Sequence, residues 1–443
     1  MKKNTTLQED YPDEVGVVRL KRLAPRPKCL EDTGLSRELL VDLVAKHLLD
    51  RGTMSLSELS GALQLPGVII EKLLGFMRSE VLVEVRPGRF DEPGISYALT
   101  DRGRATALDA MMRGGYVGPA PVSLAHYSIV VRSQSVHKQG ISREMMRDNF
   151  QDIVIEQSML DRLGASLNSG RAIFLYGGAG TGKTYISQKL ARLFPDLTLV
   201  PHAIAIDNNI VQVFDPLIHT VLQDGDDEFH ALDRGHDRRF YVCKRPTVIV
   251  AGELTRDMLE VMYNSDTRLF NAPLQMRANN GVFIIDDLGR QRIETKELFN
   301  RWIVPLEERR DYLTLPSGRH FSVPFDTVLI FSTNIHPLEL ADEAFLRRIG
   351  YKIEFTPISV ESYEQVWRDT CVDLQVDYDA DVLNYAINEL HARDHVELLP
   401  CHPRDLIGMA IDHAVYHGQQ RAMDIDGLRW AWRNYFVSLR DAR

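Results

Sequence analysis

From Gly177 to Thr184 the chain reads GGAGTGKT, directly after the apolar run Ala172-Ile173-Phe174-Leu175-Tyr176. A buried strand, a glycine-rich turn and a helix in that order leave few folds open, because a wholly apolar strand needs cover on both faces. Gly177, Gly178, Gly180 and Gly182 allow the tight backbone that turns successive N–H groups toward an anion. The helix expected to start near Gly182 adds the positive end of its dipole. Lys183 supplies a mobile cation for the β/γ-phosphates, and the Thr184 hydroxyl can ligate Mg²⁺. With Ala179, Thr181 and Tyr185 completing the segment, these residues predict a site for a nucleoside triphosphate.

The 443 residues suffice for two to three domains, each with its own core. A net charge of −10 argues against coating nucleic acid through bulk electrostatics, although a local basic face stays open. Cys29, Cys243, Cys371 and Cys401 lie far apart without a CxxC pair, as reduced thiols would. Cys401-His402 has no further spaced ligands for zinc. The start, MKKNTTLQEDYPDE, has no apolar core of a signal peptide, and no apolar stretch approaches bilayer length. We therefore expect a cytoplasmic protein without membrane insertion.

Residues 1–34, with Pro12, Pro25 and Pro27, read as an N-terminal arm. Helical spacing begins after Ser36 (Leu39, Leu40, Leu43, Val44, Leu48), resumes after Ser55 and again from Pro66. Leu82 to Val85 and Tyr97 to Thr100 then suggest a hairpin, closed by a helix from Asp101 to about Met112. Three helices, a hairpin and a last helix resemble a winged helix-turn-helix over residues 35–113. The glycine- and proline-rich GGYVGPAPVS opens a linker over 114–126. Residues 127–355 alternate strands and helices, as a parallel α/β sheet would. Within them Thr255 to Tyr263 reads as a helix and Asp311 to Val323 as a hairpin around Pro316-Ser317-Gly318. Residues 356–443 carry helical periodicity alone.

The run VFIIDD, Val282 to Asp287, ends a buried strand on two carboxylates. A magnesium-nucleotide site needs one acid for the metal's coordination shell, a role that fits Asp286, and a second to orient the attacking water, which fits Asp287. The next core strand ends in FSTN, and Asn334 at its tip can reach the γ-phosphate or the lytic water.

Taken with AFLRRIGYKIEF (Ala344 to Phe355) and HPRDLI (His402 to Ile407), these ordered motifs resemble an AAA+ ATPase over roughly residues 140–440. The resemblance implies an AAA+ P-loop core with a C-terminal helical lid, ATP and Mg²⁺ as ligands, and a homo-oligomer, typically a hexamer. By the same resemblance Asn334 corresponds to sensor 1, Arg347 or Arg348 to the arginine finger, and Arg404 to sensor 2. Most members carry Glu where this chain has Asp287, which keeps the base but shortens its reach by one methylene. The Asp311–Val323 hairpin is similar to the pre-sensor-1 hairpin of one AAA+ branch, and the stretch Arg268 to Gly281 to the helix-2 insert of its MoxR-type members.

Two features bear on partners. Over Leu35 to Gly115 ten Lys/Arg face eleven Asp/Glu, a balance that favours a protein client over DNA, while Arg86, Arg89, Arg102 and Arg104 leave phosphate contacts open. FIIDDLG also resembles helicase-loader and transposition ATPases. The expected function is therefore an ATPase that remodels or assembles a protein complex. A DNA-associated ATP switch and a non-hydrolysing scaffold stand as alternatives. Arg290 and Arg292 either bridge to a neighbouring subunit or lie in a solvated loop.

Overall fold

The computed structural model describes residues 22–87, 94–222 and 236–436. Arg89 and Pro12 lie outside them. The chain divides into two compact units: Met1–Gln139, Phe194–Ile284 and Arg292–Leu329 form one, and Gly140–Leu193, Ile285–Gln291 and Ile330–Arg443 the other.

Five strands carry the α/β core: β1 (Ile173–Gly177), β2 (Thr247–Val250), β3 (Val282–Ile285), β4 (Val328–Thr333) and β5 (Tyr351–Phe355). Their order is β2-β3-β4-β1-β5. β1 pairs in parallel with β4 (Ile330 opposite Ile173) and with β5 (Phe355 opposite Gly177). All of β3 and β4 is buried, as continuous apolar runs require when both faces are covered. β4, which ends beside Asn334, thus runs alongside the loop-bearing β1.

In the first unit, helices Arg37–Arg51, Leu56–Leu63, Gly67–Ser79 and Asp101–Arg113 pack around a three-stranded antiparallel sheet. Ile95–Leu99 is its central strand, flanked by Met54–Ser55 and Val83–Pro87. The helix starts follow local chemistry: Ser36 accepts from Leu39 N–H, Ser55 and Glu58 form a reciprocal capping box, and Thr100 accepts from Gly103 N–H. A Cβ on Gly103 would run into the Leu82 carbonyl, which fixes glycine there.

The segment expected as a linker is instead packed. Tyr116 and Ala120 are buried in one apolar core with Leu40, Leu73 and the strand residues Ala203, Ala205 and Ile210. Lys46 Nζ donates to Gly114 O (2.5 Å), His47 Nε2 to Gly118 O (2.9 Å) and Ala120 N to Leu63 O (2.9 Å). Helix Leu124–Ser133 begins before the expected linker ends. Glycine and proline here shape a tight path along a surface and do not signal freedom from it.

The described part of the N-terminal arm is likewise tied down. Pro25 bridges His236, and Asp237 N donates to Ala24 O (2.8 Å). The Arg239 guanidinium, wholly buried, forks onto Asp237 (Nη2–Oδ2 2.8 Å) and donates from Nη1 to Thr33 O (3.3 Å) and Pro121 O (2.8 Å). One ion pair therefore fastens the arm and the supposed linker together.

Among the described residues between Phe194 and Lys244 the expected strand–helix alternation gives way to β structure. Leu197–Pro201 pairs antiparallel with Phe240–Lys244, and Ala203–Ile206 with Asn209–Gln212. A five-stranded sheet continues through Leu269–Asn271 to Met262–Asn264, with Val122–Ser123 at its other edge. Consequently Thr255–Tyr263 is not a helix. It holds a short 3₁₀ turn, Asp257–Leu259, and then strand Met262–Asn264, whose partner Leu269–Asn271 lies across a turn. Pairing in the sheet overrides weak local helix preference. Of the stretch resembling a helix-2 insert, Leu269–Asn271 is a strand and Leu274–Arg277 a single helical turn. The hairpin expected around Pro316 is present, with Arg310–Thr314 paired to His320–Pro324.

In the second unit, residues beyond β5 form the expected helical region: Val360–Leu374, Ala380–Tyr385, His402–Tyr416 and Ile425–Tyr435, closed on Tyr363, Trp367, Leu406 and Trp432. Among the described residues no single helix is long and apolar enough to cross a membrane.

Candidate nucleotide site

β1 delivers the chain into the glycine loop, and the backbone there needs glycine. Gly177 (φ 140°) passes so close to β5 that a Cβ would strike the Phe355 carbonyl. Gly180 (φ 80°) faces Cys401, whose Sγ would lie 2.5 Å from a Cβ. Gly182 (φ 91°) caps the helix Lys183–Ala191 without a side-chain bond, so its first N–H groups keep their capacity for an anion. Gly178, Ala179 and Gly180 are exposed, and Tyr185 is about half exposed.

Lys183 is 6% exposed, and its Nζ donates to Gly177 O (2.9 Å) and Gly178 O (2.7 Å), while Thr181 Oγ1 donates to Gly178 O (2.8 Å). Burial pushes the Lys183 ammonium below its ordinary proton affinity, and the nearby charges of Asp286 and Asp287 oppose that shift. The Thr184 hydroxyl donates to Asp286 Oδ2 (2.7 Å), joining residues 102 positions apart. Asn334 Nδ2 lies 3.4 Å from Asp287 Oδ1. The loop, both acids and the strand-tip asparagine therefore meet in one place, inside one unit.

The acid turn is itself held open. Asp287 sits at φ 47° and Gly289 at φ 105°, a left-handed course that aspartate tolerates better than most residues. Leu288 N donates to Ser332 O (2.8 Å), and Thr333 Oγ1 to Leu288 O (2.7 Å). Gln291 bonds to the same turn through both ends of its amide. Sequence reading gives Thr333 and Gln291 no role, and takes Cys401 only as one of four reduced thiols. No sequence signal singles out Gln291, because all three of its partners are backbone atoms.

The arginines stand apart. Arg347 is exposed and pairs with Glu343 (3.6 Å, both side chains 81% exposed), making no bond to the loop, acids or Asn334 among the described residues. Arg348 Nη1 donates to Ala344 O (2.7 Å). Arg404 is exposed in the first turn of His402–Tyr416, the helix whose start, at Cys401, abuts Gly180. Arg290 and Arg292 are not buried.

Among the described residues no group of three or more His, Cys, Asp or Glu could hold a metal alone.

Residues 359–434 match a family model described as a domain of unknown function, DUF8689. No curated protein matches the chain in sequence. Among solved structures, domain III of the Thermotoga maritima replication initiation protein DnaA is 12% identical, with 65% of this chain and 97% of that one covered, at TM-score 0.36. The Thermotoga maritima RuvB Holliday junction branch migration motor is 12% identical over 68% of this chain and 74% of that one, at TM-score 0.35. A mutant of the same RuvB gives 12% identity, 67% and 71% coverage and TM-score 0.35.

Proposed function

We propose that the chain is a Mg-ATP-dependent AAA+ ATPase, acting in the cytoplasm as an oligomer, a hexamer, that remodels or assembles a protein complex. One observation carries the reading: Thr184 bonded to Asp286, with Asp287 and Asn334 side by side at the neighbouring strand tips. The donor set fits a magnesium nucleotide. Loop N–H groups and Lys183 would take the phosphates, and Thr184 with Asp286 would hold the ion. Magnesium, when bound, supplies charge stabilisation for phosphoryl transfer. Asp287 accepts a proton from water, and Asn334 fixes that carboxylate and orients the water. The exposure of Arg347 supports it as the finger donated to a neighbouring copy, with Arg404 reaching the nucleotide from the lid.

We read residues 35–113 as a winged-helix module that docks protein. The exposed face of Gly67–Ser79 carries Val68, Glu71, Lys72, Gly75 and Arg78, a mixed surface without Asn or Gln for base edges. Arg86 pairs with Glu84 (2.6 Å) and Arg102 with Glu80 (3.7 Å), which lessens the free positive charge beside the wing. The hairpin Arg310–Thr314/His320–Pro324 supports the pre-sensor-1 branch, while the MoxR-type assignment loses its helix. Phosphate release with magnesium, with and without DNA, tests the reading. Turnover that needs no DNA is expected, and turnover appearing only with DNA favours the ATP switch. ATP binding without any turnover favours the scaffold.

A further inference from the structure

Gln291 Nε2 donates to the carbonyls of Asp286 (2.9 Å) and Asp287 (3.1 Å), and its Oε1 accepts from Gly289 N–H (2.8 Å). One partly buried amide thus spans the whole acid turn. The turn has reason to need it. Asp287 holds a left-handed backbone that an L-residue leaves readily unless its surroundings insist. Asp287 O also accepts from Arg290 N–H (3.1 Å), so its peptide is gripped from two sides.

A short side chain makes that grip matter. Aspartate has one torsion fewer than glutamate with which to correct a displaced backbone, so the peptide decides where the carboxylate stands. Its 3.4 Å contact with Asn334 Nδ2 lies at the outer limit of a hydrogen bond, and a small rotation of the turn removes it. Gln291 meets the acids only through backbone atoms and bonds to none of the loop glycines, Lys183 or Thr184.

We propose that Gln291 is a positioning residue for Asp287: it sets the aim of the carboxylate without contributing to nucleotide binding. The proposal rests on the ATPase reading above. Two substitutions test it. Gln291→Met keeps length and bulk without the amide, and Gln291→Glu keeps an acceptor for Gly289 N–H but sets a carboxylate against two carbonyls. ATP affinity, measured with a fluorescent ATP analogue in magnesium, is expected to stay within about twofold of wild type, while kcat falls roughly tenfold to hundredfold. Gln291→Glu falls at least as far as Gln291→Met. Full kcat in both variants overturns the proposal. So does a parallel loss of ATP binding, which makes Gln291 a residue of general stability. A wild-type chain that binds ATP without hydrolysing it overturns the ATPase reading and removes the clamp's purpose with it.

Discussion

The glycine loop with its acid turn and the β-rich stretch from Phe194 to Asn271 are built by opposite rules. In the first, each feature is written within a few adjacent residues: glycines where φ is positive, a lysine and threonine at a helix start, acids at the end of an apolar run. In the second, almost nothing is local. Met262–Asn264 is a strand because Leu269–Asn271 pairs with it, and Leu269–Asn271 is fixed in turn by Asn209–Gln212. Chemistry that must meet a ligand leaves short signatures, whereas architecture that meets only itself spreads its information across the chain.

The widest expected effect breaks the architectural side alone. Asp237→Ala strips the partner from the buried Arg239 and costs about 3–5 kcal/mol, seen as a lower midpoint in chemical denaturation. An unchanged midpoint would mean that the arm and the segment after Gly114 hold without that fork. Next, Asp287→Asn leaves the fold intact and lowers turnover by about 10²–10³-fold while ATP binding persists. Stopped-flow phosphate release beside equilibrium binding separates the two quantities. Third, Gly180→Ala forces a Cβ toward Cys401 at a left-handed position and weakens ATP binding about tenfold, whereas Gly61→Ala, where space is open, leaves it unaltered.

The loop, Asp286, Asp287 and Asn334 were legible because spacing and residue type alone specify them. The helical region after Thr356 and the hairpin around Pro316 followed from periodicity and turn chemistry. The packed course of residues 114–126 was not legible: Gly114, Gly118, Pro119 and Pro121 look the same in a free tether as in a strap whose carbonyls serve Lys46, His47 and Arg239. Gln291 escaped notice because its partners are backbone atoms, which carry no mark in a sequence. The helix expected over Thr255–Tyr263 failed for the converse reason, since only a distant strand decided it.

Two smaller effects sharpen the contrast. Burial pushes the His202 imidazole down to about 4, so the native state stays neutral where the unfolded chain, with an ordinary value near 6.5, takes up a proton. Its contribution is complete above about pH 6.5 and is lost as pH falls toward 4, so melting temperature should drop across that window. His202→Phe, beside Phe214 and Tyr241, should flatten the acid side. Finally, Glu343→Gln removes an exposed ion pair and should change stability by less than about 0.5 kcal/mol.

Calorimetric titration of ATP into the wild-type chain and into Lys183→Ala, each with and without magnesium, decides whether the glycine loop holds a nucleotide. A saturable, magnesium-strengthened uptake by the wild type that vanishes in Lys183→Ala is the predicted result. Equal uptake by the two, or none by the wild type, would mean that this loop is not a nucleotide site.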